Sequence, residues 1–120
     1  MIDKYMEKPL FGVNGVTFDN EEKDGGLPRQ FILKTLFDTY KLPENVAIKN
    51  CTFRRDDYEG EFAVKILIDD IVIGYVPRDY LPVFLDDDGE PRKEIPEMKA
   101  KCEIGKHPQN ESIFYALIGL

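Results

Sequence analysis

The chain has 120 residues, a formal net charge of −7 and an apolar content of 42%. Its length fits one domain that buries about two-thirds of its unfolded surface, and its apolar content excludes a disordered polymer. Its charge excludes a protein that grips nucleic acid by bulk attraction, because such domains are basic.

The first half of the chain predicts a strand, a helix and a second strand. FGVNGVTF (11–18) is typical of a strand whose glycines mark a bulge or a close backbone approach. LPRQFILKTLFDTY (27–40) has apolar residues at helical spacing, with Pro28 in the first turn and Pro43 beyond the end. VAIKNCTFRR (46–55) is a strand whose apolar residues change parity, which predicts a bulge or a barrel corner near Asn50.

The second half predicts a loop, a hairpin, a short helix and two further strands. RRDDYEGE (54–61) is typical of an exposed loop, and FAVKILID with IVIGYV predicts a hairpin that turns at Asp69-Asp70. PRDYLPVFL predicts a short helix after Pro77, limited by Pro82. MKAKCEI alternates, which places Lys101 and Glu103 on an exposed face, and IFYALIGL closes the chain as a strand with apolar residues on both faces.

These elements predict a mainly β domain with one main helix, in the α+β class. A small OB- or SH3-like β-barrel of five to six strands fits best, because closing the sheet removes exposed strand edges. We expect one domain over residues 1–120, with a tail at 1–10 and the barrel at 11–120.

No catalytic, metal or cofactor chemistry is predicted. Cys51, Cys102 and the single His107 are too few for a four-ligand zinc site built from Cys and His alone. DDDG (86–89) fails as a calcium loop, since Phe84 and Ile95 fall at its first and twelfth positions. No apolar run reaches the roughly 18 residues of a membrane span, and the start lacks a signal-peptide core, so we expect a cytoplasmic location.

Four groups of residues at strand ends or in loops are candidates for a binding site at one rim of the barrel. Aromatic rings there stack on unpaired bases, arginines hold phosphates, and a carboxylate accepts a hydrogen bond from a terminal sugar hydroxyl, which favours a strand end. We expect these groups to meet in one pocket of positive local charge. They are Phe18, the pair Arg54 and Arg55, the pair Tyr58 and Glu59, and Tyr75 with Arg78.

Each candidate also has a purely structural interpretation. Phe18 fits a core residue, Tyr58 fits a turn cap, and Tyr75 fits a ring packed on the barrel with its hydroxyl exposed. The two adjacent arginines fit cations that only neutralise the aspartates after them, in surface pairs that stabilise little. The residues alone leave both interpretations open.

Four motifs in order resemble the HIRAN domain family, in its stand-alone bacterial or phage form. They are GVTFDN, RQFILKTL, DYEGEFAVKI and IVIGYVPRDYL, and the resemblance covers residues 11–85 well and the last two strands loosely. It implies a small barrel that, in fork-remodelling helicases, captures the 3′ end of single-stranded DNA. By position, Phe18, Tyr58 and Tyr75 would face bases or sugar. Glu59 would meet the terminal hydroxyl, and Arg78 would take a phosphate.

The resemblance implies a non-catalytic module that binds single-stranded DNA or its 3′ end in DNA repair or replication processing, with a helicase or nuclease as a partner protein. Thr17 stands where some DNA-binding members have an arginine, and Asp56-Asp57 replaces the usual Asn-Pro. Because these departures remove cations or add anions, an alternative stays open. It is a protein-interaction or assembly module whose acidic surface meets a basic partner and binds no DNA.

Overall fold

Six antiparallel strands form a single sheet in the order β1-β6-β5-β2-β3-β4. The computed structural model describes residues 9–85, 87–90 and 100–119. The strands are β1 (Pro9–Gly12), β2 (Val46–Tyr58), β3 (Glu61–Ile68), β4 (Ile71–Tyr75), β5 (Ala100–His107) and β6 (Asn110–Gly119). The helices are α1 (Arg29–Tyr40) and two short 3-10 helices, Glu22–Asp24 and Arg78–Phe84. The predicted α+β class with one main helix is confirmed.

The predicted closed barrel is wrong, because the sheet is open along most of its length. Its edges, β1 and β4, meet at one isolated bridge, where Asn14 and Tyr75 exchange backbone hydrogen bonds of 2.9 and 3.0 Å. The chain leaves the extended path just after this bridge, at Gly15 with a φ of 75°. The predicted strand over 11–18 is therefore shorter, and too little backbone remains to pair along β4.

β2 is the longest strand and changes partners midway. It pairs with β5 up to Cys51 and with β3 from Thr52, and neither ladder has a register shift. Of the bulge or barrel corner predicted near Asn50, the bulge is therefore absent, and what lies there is the change of partner strand between Cys51 and Thr52. The parity change has another cause, since both faces of β2 are covered: Ala47 and Cys51 are buried in the core, while Ile48 is half-buried on the opposite face.

The exposed loop predicted over 54–61 is also wrong, because β2 continues to Tyr58. Glu59 and Gly60 make a two-residue turn with φ values of 53° and 81°. Asp69 and Asp70 make the same kind of turn between β3 and β4, with φ values of 50° and 68°, which confirms the predicted hairpin. Two central residues with positive φ match the right-handed twist of paired strands.

α1 packs its apolar face on the sheet and closes the core. Leu33 and Phe37 are buried, and the Phe37 ring lies 5.2 Å from that of Phe114 on β6. Gln30 holds the helix start to the same strand: its amide accepts from the Phe114 N–H at 2.7 Å and donates to the Phe114 carbonyl at 2.8 Å. The predicted helix is confirmed from Arg29 to Tyr40.

The last two predicted strands are present as β5 and β6, which pair as an antiparallel hairpin, but one side chain is not where the alternation placed it. Glu103 is 1% exposed instead of lying in solvent. The ring of Tyr115 lies across Gly105, which has no Cβ, and its hydroxyl donates to Glu103 Oε2 at 2.7 Å. The ring of Tyr115 therefore covers the Glu103 carboxylate and shields it from solvent. Met98 and Lys99 of the predicted strand lie outside the described residues.

Candidate functional site

A cavity of about 380 Å³ opens beside the bridge that joins the sheet edges. Its walls come from the loop after β1, the first residue of α1, the start of β3, the end of β4 and the 3-10 helix after Pro77. The lining residues are Asn14, Gly15, Phe18, Asp19, Glu21, Arg29, Glu61, Phe62, Ala63, Tyr75, Val76, Arg78 and Leu81. Segments far apart in sequence therefore converge on one concave surface.

Three of the seven predicted site residues line this cavity: Phe18, Tyr75 and Arg78. The others do not line it or are not described. Arg54 reaches Asp70 at 3.1 Å, in the turn between β3 and β4. Arg55 lies 3.6 Å from a carboxylate oxygen of Asp57, with its guanidinium 5.5 Å from the ring centroid of Phe62. Glu59 is exposed in the turn after β2, and the side chain of Tyr58 lies outside the described part of the structure.

Phe18 and Tyr75 differ in how they are held. Phe18 is 67% exposed, so it is not a core residue. Tyr75 is half-buried, with the Arg29 guanidinium 5.2 Å from its ring centroid, and its hydroxyl donates to Asp56 Oδ2 at 3.1 Å. Burial, and then the Asp56 carboxylate, raises the pKa of Tyr75 to about 12. The phenol is therefore a fixed hydrogen-bond donor at neutral pH.

Arg29 holds the loop that carries Phe18. It is 4% exposed, and it donates from Nε to Asn20 Oδ1 and from Nη1 to the Gly15 carbonyl, both at 2.8 Å. Asn20 in turn donates to the Val72 carbonyl at 2.9 Å. A Cβ added at Gly15 would lie 2.8 Å from Arg29 Nη1, so the loop closes tightly around the guanidinium. Arg29 thus shapes the wall as a structural cation.

A second buried cation fastens the far part of the same loop. Lys65, in the apolar strand β3, has a side chain 8% exposed and contacts Asp24 at 2.9 Å and Asp56 at 3.9 Å. Lys23 lies 3.3 Å from Asp56 on the outer side. Partial burial opposes ionisation of Asp56, but hydrogen bonds from Tyr75 and Lys23 prevail and lower its pKa. The Tyr75 hydroxyl is therefore tied to this ionic cluster.

The positive pocket that we expected is not found. Three carboxylates (Asp19, Glu21 and Glu61) line the cavity with two guanidinium groups, one of which is the buried Arg29. The other, Arg78, lies at the mouth, with a side chain 89% exposed and 3.8 Å from Glu61. The cations of this region are matched by anions, so the cavity suits an aromatic, hydroxyl-bearing group better than a phosphate.

Other chemistry finds little support in the described part of the chain. Residues 9–85, 87–90 and 100–119 contain no cluster of three or more His, Cys, Asp or Glu side chains that could hold a metal ion. Burial raises the pKa of Cys51 to about 12 and raises that of Cys102 as well, so neither is the thiolate that a cysteine nucleophile must be. None of the described helices is long and apolar enough to cross a bilayer.

Comparison with protein-family models, with curated proteins and with solved structures found no match to this chain. Its own side chains therefore carry the functional argument.

The carboxylates of the cavity and the two buried cations were missed by sequence reasoning. One signal was present: Lys65 interrupts the apolar run FAVKILI, and a buried ammonium group requires a carboxylate partner. The partner, Asp24, could not be recognised, because it lies 41 residues away in a loop rich in acidic residues.

Proposed function

We propose that this protein is a non-catalytic module that binds the 3′ end of single-stranded DNA, with the terminal nucleoside in the cavity. One observation carries the proposal: the exposed ring of Phe18 shares the cavity with carboxylates, and the exposed Arg78 stands at its mouth. A base stacks on the ring at about 1–3 kcal/mol. Carboxylate oxygens accept from a sugar hydroxyl and repel a terminal phosphate.

The size of the cavity supports a single terminal unit. Its volume of about 380 Å³ falls at the low end of the range of small-ligand pockets. Arg78 pairs with Glu61 in an exposed contact at 3.8 Å, which is a weak bond that a phosphate can exchange. The phosphate on the 5′ side of the terminal nucleoside would then contact Arg78, outside the acidic interior of the cavity.

The family resemblance supports the same function. It gives base, sugar or phosphate contacts to Phe18, Tyr75 and Arg78, and these three residues line the cavity. The bridge between Asn14 and Tyr75, which joins the two edges of the open sheet, supports a partly open, OB- or SH3-like fold of the HIRAN type. DNA repair or replication processing, beside a helicase or nuclease, is the setting that the proposal implies.

The proposal is tested by fluorescence anisotropy at low salt with oligonucleotides that end in a 3′-hydroxyl or a 3′-phosphate. We expect the hydroxyl end to bind about tenfold tighter or more, and Phe18→Ala to weaken its binding by about five- to a hundredfold. Val83→Ala is the control, since Val83 is 50% exposed and lies outside the cavity. Equal binding of both ends, or no effect of Phe18→Ala, would contradict the proposal.

A second candidate function is a protein-interaction or assembly module. The net charge of −7 and the carboxylates of the cavity favour it, because they attract a basic partner. A partner that is retained from lysate after nuclease treatment, and is lost in Glu21→Lys with Glu61→Lys, would support this function. Loss of the partner upon nuclease treatment alone would support DNA binding instead.

A further inference from the structure

The outer face of α1 carries an aromatic ring and ammonium groups in one row. Phe31 is 57% exposed in the first turn of the helix, Lys34 and Asp38 follow at spacings of three and four residues, and Lys41 comes directly after the last helical residue. Residues at these spacings are neighbours on a helix surface. The row begins beside the cavity, since the Arg29 N–H donates to the Phe18 carbonyl at 3.2 Å.

Ammonium groups gather at the far end of this row. The Nζ atoms of Lys41 and Lys106 each lie 5.7 Å from the ring centroid of Phe37, so they are at most about 11 Å apart. The hydrogen bond from Lys34 has the largest effect and lowers the pKa of Asp38; desolvation opposes it, and the charges of Lys34, Lys41 and Lys106 add to the lowering. Three cations therefore act on a single carboxylate.

These lysines differ from the cations of the cavity in their partners. Lys34 pairs with Asp38 at 2.8 Å, whereas Lys41 and Lys106 have no carboxylate within 4.0 Å among the residues that the structure describes. Both side chains belong to exposed residues. Their charge is therefore available to an anion from solution, although the chain as a whole is acidic.

From this arrangement we infer that the strand leaving the cavity runs along α1, on a track formed by Phe31, Lys34, Lys41 and Lys106. The inference rests on the proposed function for the direction of the strand. The exposed ring of Phe31 offers a stacking surface for a base, and the lysines complement the phosphates of a single strand. α1 rises about 1.5 Å per residue, so Lys41, directly after its last residue, lies about 15 Å beyond Phe31, far enough for the track to follow more than one nucleotide.

Two probes separate the track from the cavity. A dinucleotide with a free 3′-hydroxyl reports the cavity alone, and a circular single strand, which has no end, reports the track alone. A linear hexanucleotide engages both. The test variant is Lys41→Gln with Lys106→Gln. The matched control is Lys101→Gln, an exposed lysine of β5 that lies on the other face of that strand from Lys106.

We expect the hexanucleotide to bind more tightly than the dinucleotide, with little further gain beyond it. The double variant should weaken the hexanucleotide and the circle by about two- to thirtyfold at low salt, and leave the dinucleotide and the melting temperature unchanged. The slope of log K against log salt should fall by about 1.4, at 0.7 for each lost phosphate contact. Phe31→Ala should weaken the circle by about five- to a hundredfold.

Four outcomes decide between the two proposals. If the double variant matches Lys101→Gln on the hexanucleotide and the circle, the track is overturned and the cavity stands. A blunt duplex that binds as tightly as the circle, with no effect of Phe31→Ala, also overturns the track. If the dinucleotide does not bind but the double variant weakens the circle, the end-binding function fails and the track stands. No binding of any probe overturns both.

Discussion

The cavity and the α1 track carry similar cationic side chains, but those side chains have different roles. In the cavity region, Arg29 and Lys65 are buried and each holds at least two partners on a loop or a strand. On the track, Lys41 and Lys106 are exposed and rest above an aromatic ring. The difference teaches that burial and pairing decide whether a cation stabilises the fold or remains free for a ligand. The net charge of the chain does not decide between these two roles.

The largest effect that would sharpen this comparison is expected from Lys65→Ala. Removing one member of the buried pair with Asp24 leaves a carboxylate uncompensated, which costs about 3–5 kcal/mol of unfolding free energy. Lys41→Ala, on the track, should change the unfolding free energy by less than about 0.5 kcal/mol. Urea denaturation of both variants measures the contrast. Similar losses in the two variants would remove the distinction between the regions.

A second contrast lies within the cavity, between Arg29→Ala and Arg78→Ala. Loss of the Arg29 guanidinium leaves the oxygens of Asn20 and Gly15 without their hydrogen-bond donor. The unfolding free energy should fall by roughly 3 kcal/mol, because hydrogen bonds to a charged group are strong. Arg78→Ala should cost less than about 0.5 kcal/mol, because its side chain is 89% exposed. Thermal and urea unfolding give both values. A stable Arg29→Ala protein that has lost only ligand affinity would instead make Arg29 a binding residue.

The smallest expected effect comes from Tyr75→Phe. The variant loses the hydroxyl bond to Asp56 and should be about 1 kcal/mol less stable at pH 7, with hexanucleotide affinity retained because the ring remains. Unfolding measured by urea, and anisotropy with the same oligonucleotide, check the two parts. A variant as stable as the wild type that no longer binds would show that the hydroxyl itself meets the ligand.

The raised pKa of Tyr75 also predicts that the stability of the protein depends on pH. The pKa of Tyr75 rises from an ordinary value of 10.0 to about 12 in the folded chain. The folded state therefore binds more protons between these values, and its stability is complete below pH 10 and declines as pH rises towards 12. Tyr75→Phe should decline less over this window. Part of the decline should persist, since burial also raises the pKa of Tyr115. Urea unfolding at several alkaline pH values tests this, and parallel curves would contradict it.

Local patterns in the sequence predicted α1, the β3–β4 hairpin and the strands β5 and β6. Each depends on residues close in the chain: apolar spacing and two prolines for the helix, a short turn between apolar runs for the hairpin, and apolar alternation or apolar runs for the strands. The same reasoning failed over 54–61, where charge predicted a loop. Pairing with β3 continued the strand through those charges, because the Glu59-Gly60 turn sets the register.

For the candidate site, the sequence by itself identified Phe18, Tyr75 and Arg78, because each stands at the end of an apolar segment where a side chain can meet solvent. Only the tertiary structure decided that Arg29 and Lys65 are buried. It also decided that Asp24 pairs with Lys65, 41 residues away, and that Glu61 lies beside Arg78. The charge of a pocket depends on distances between segments remote in the chain, and local pattern carries no information on those distances.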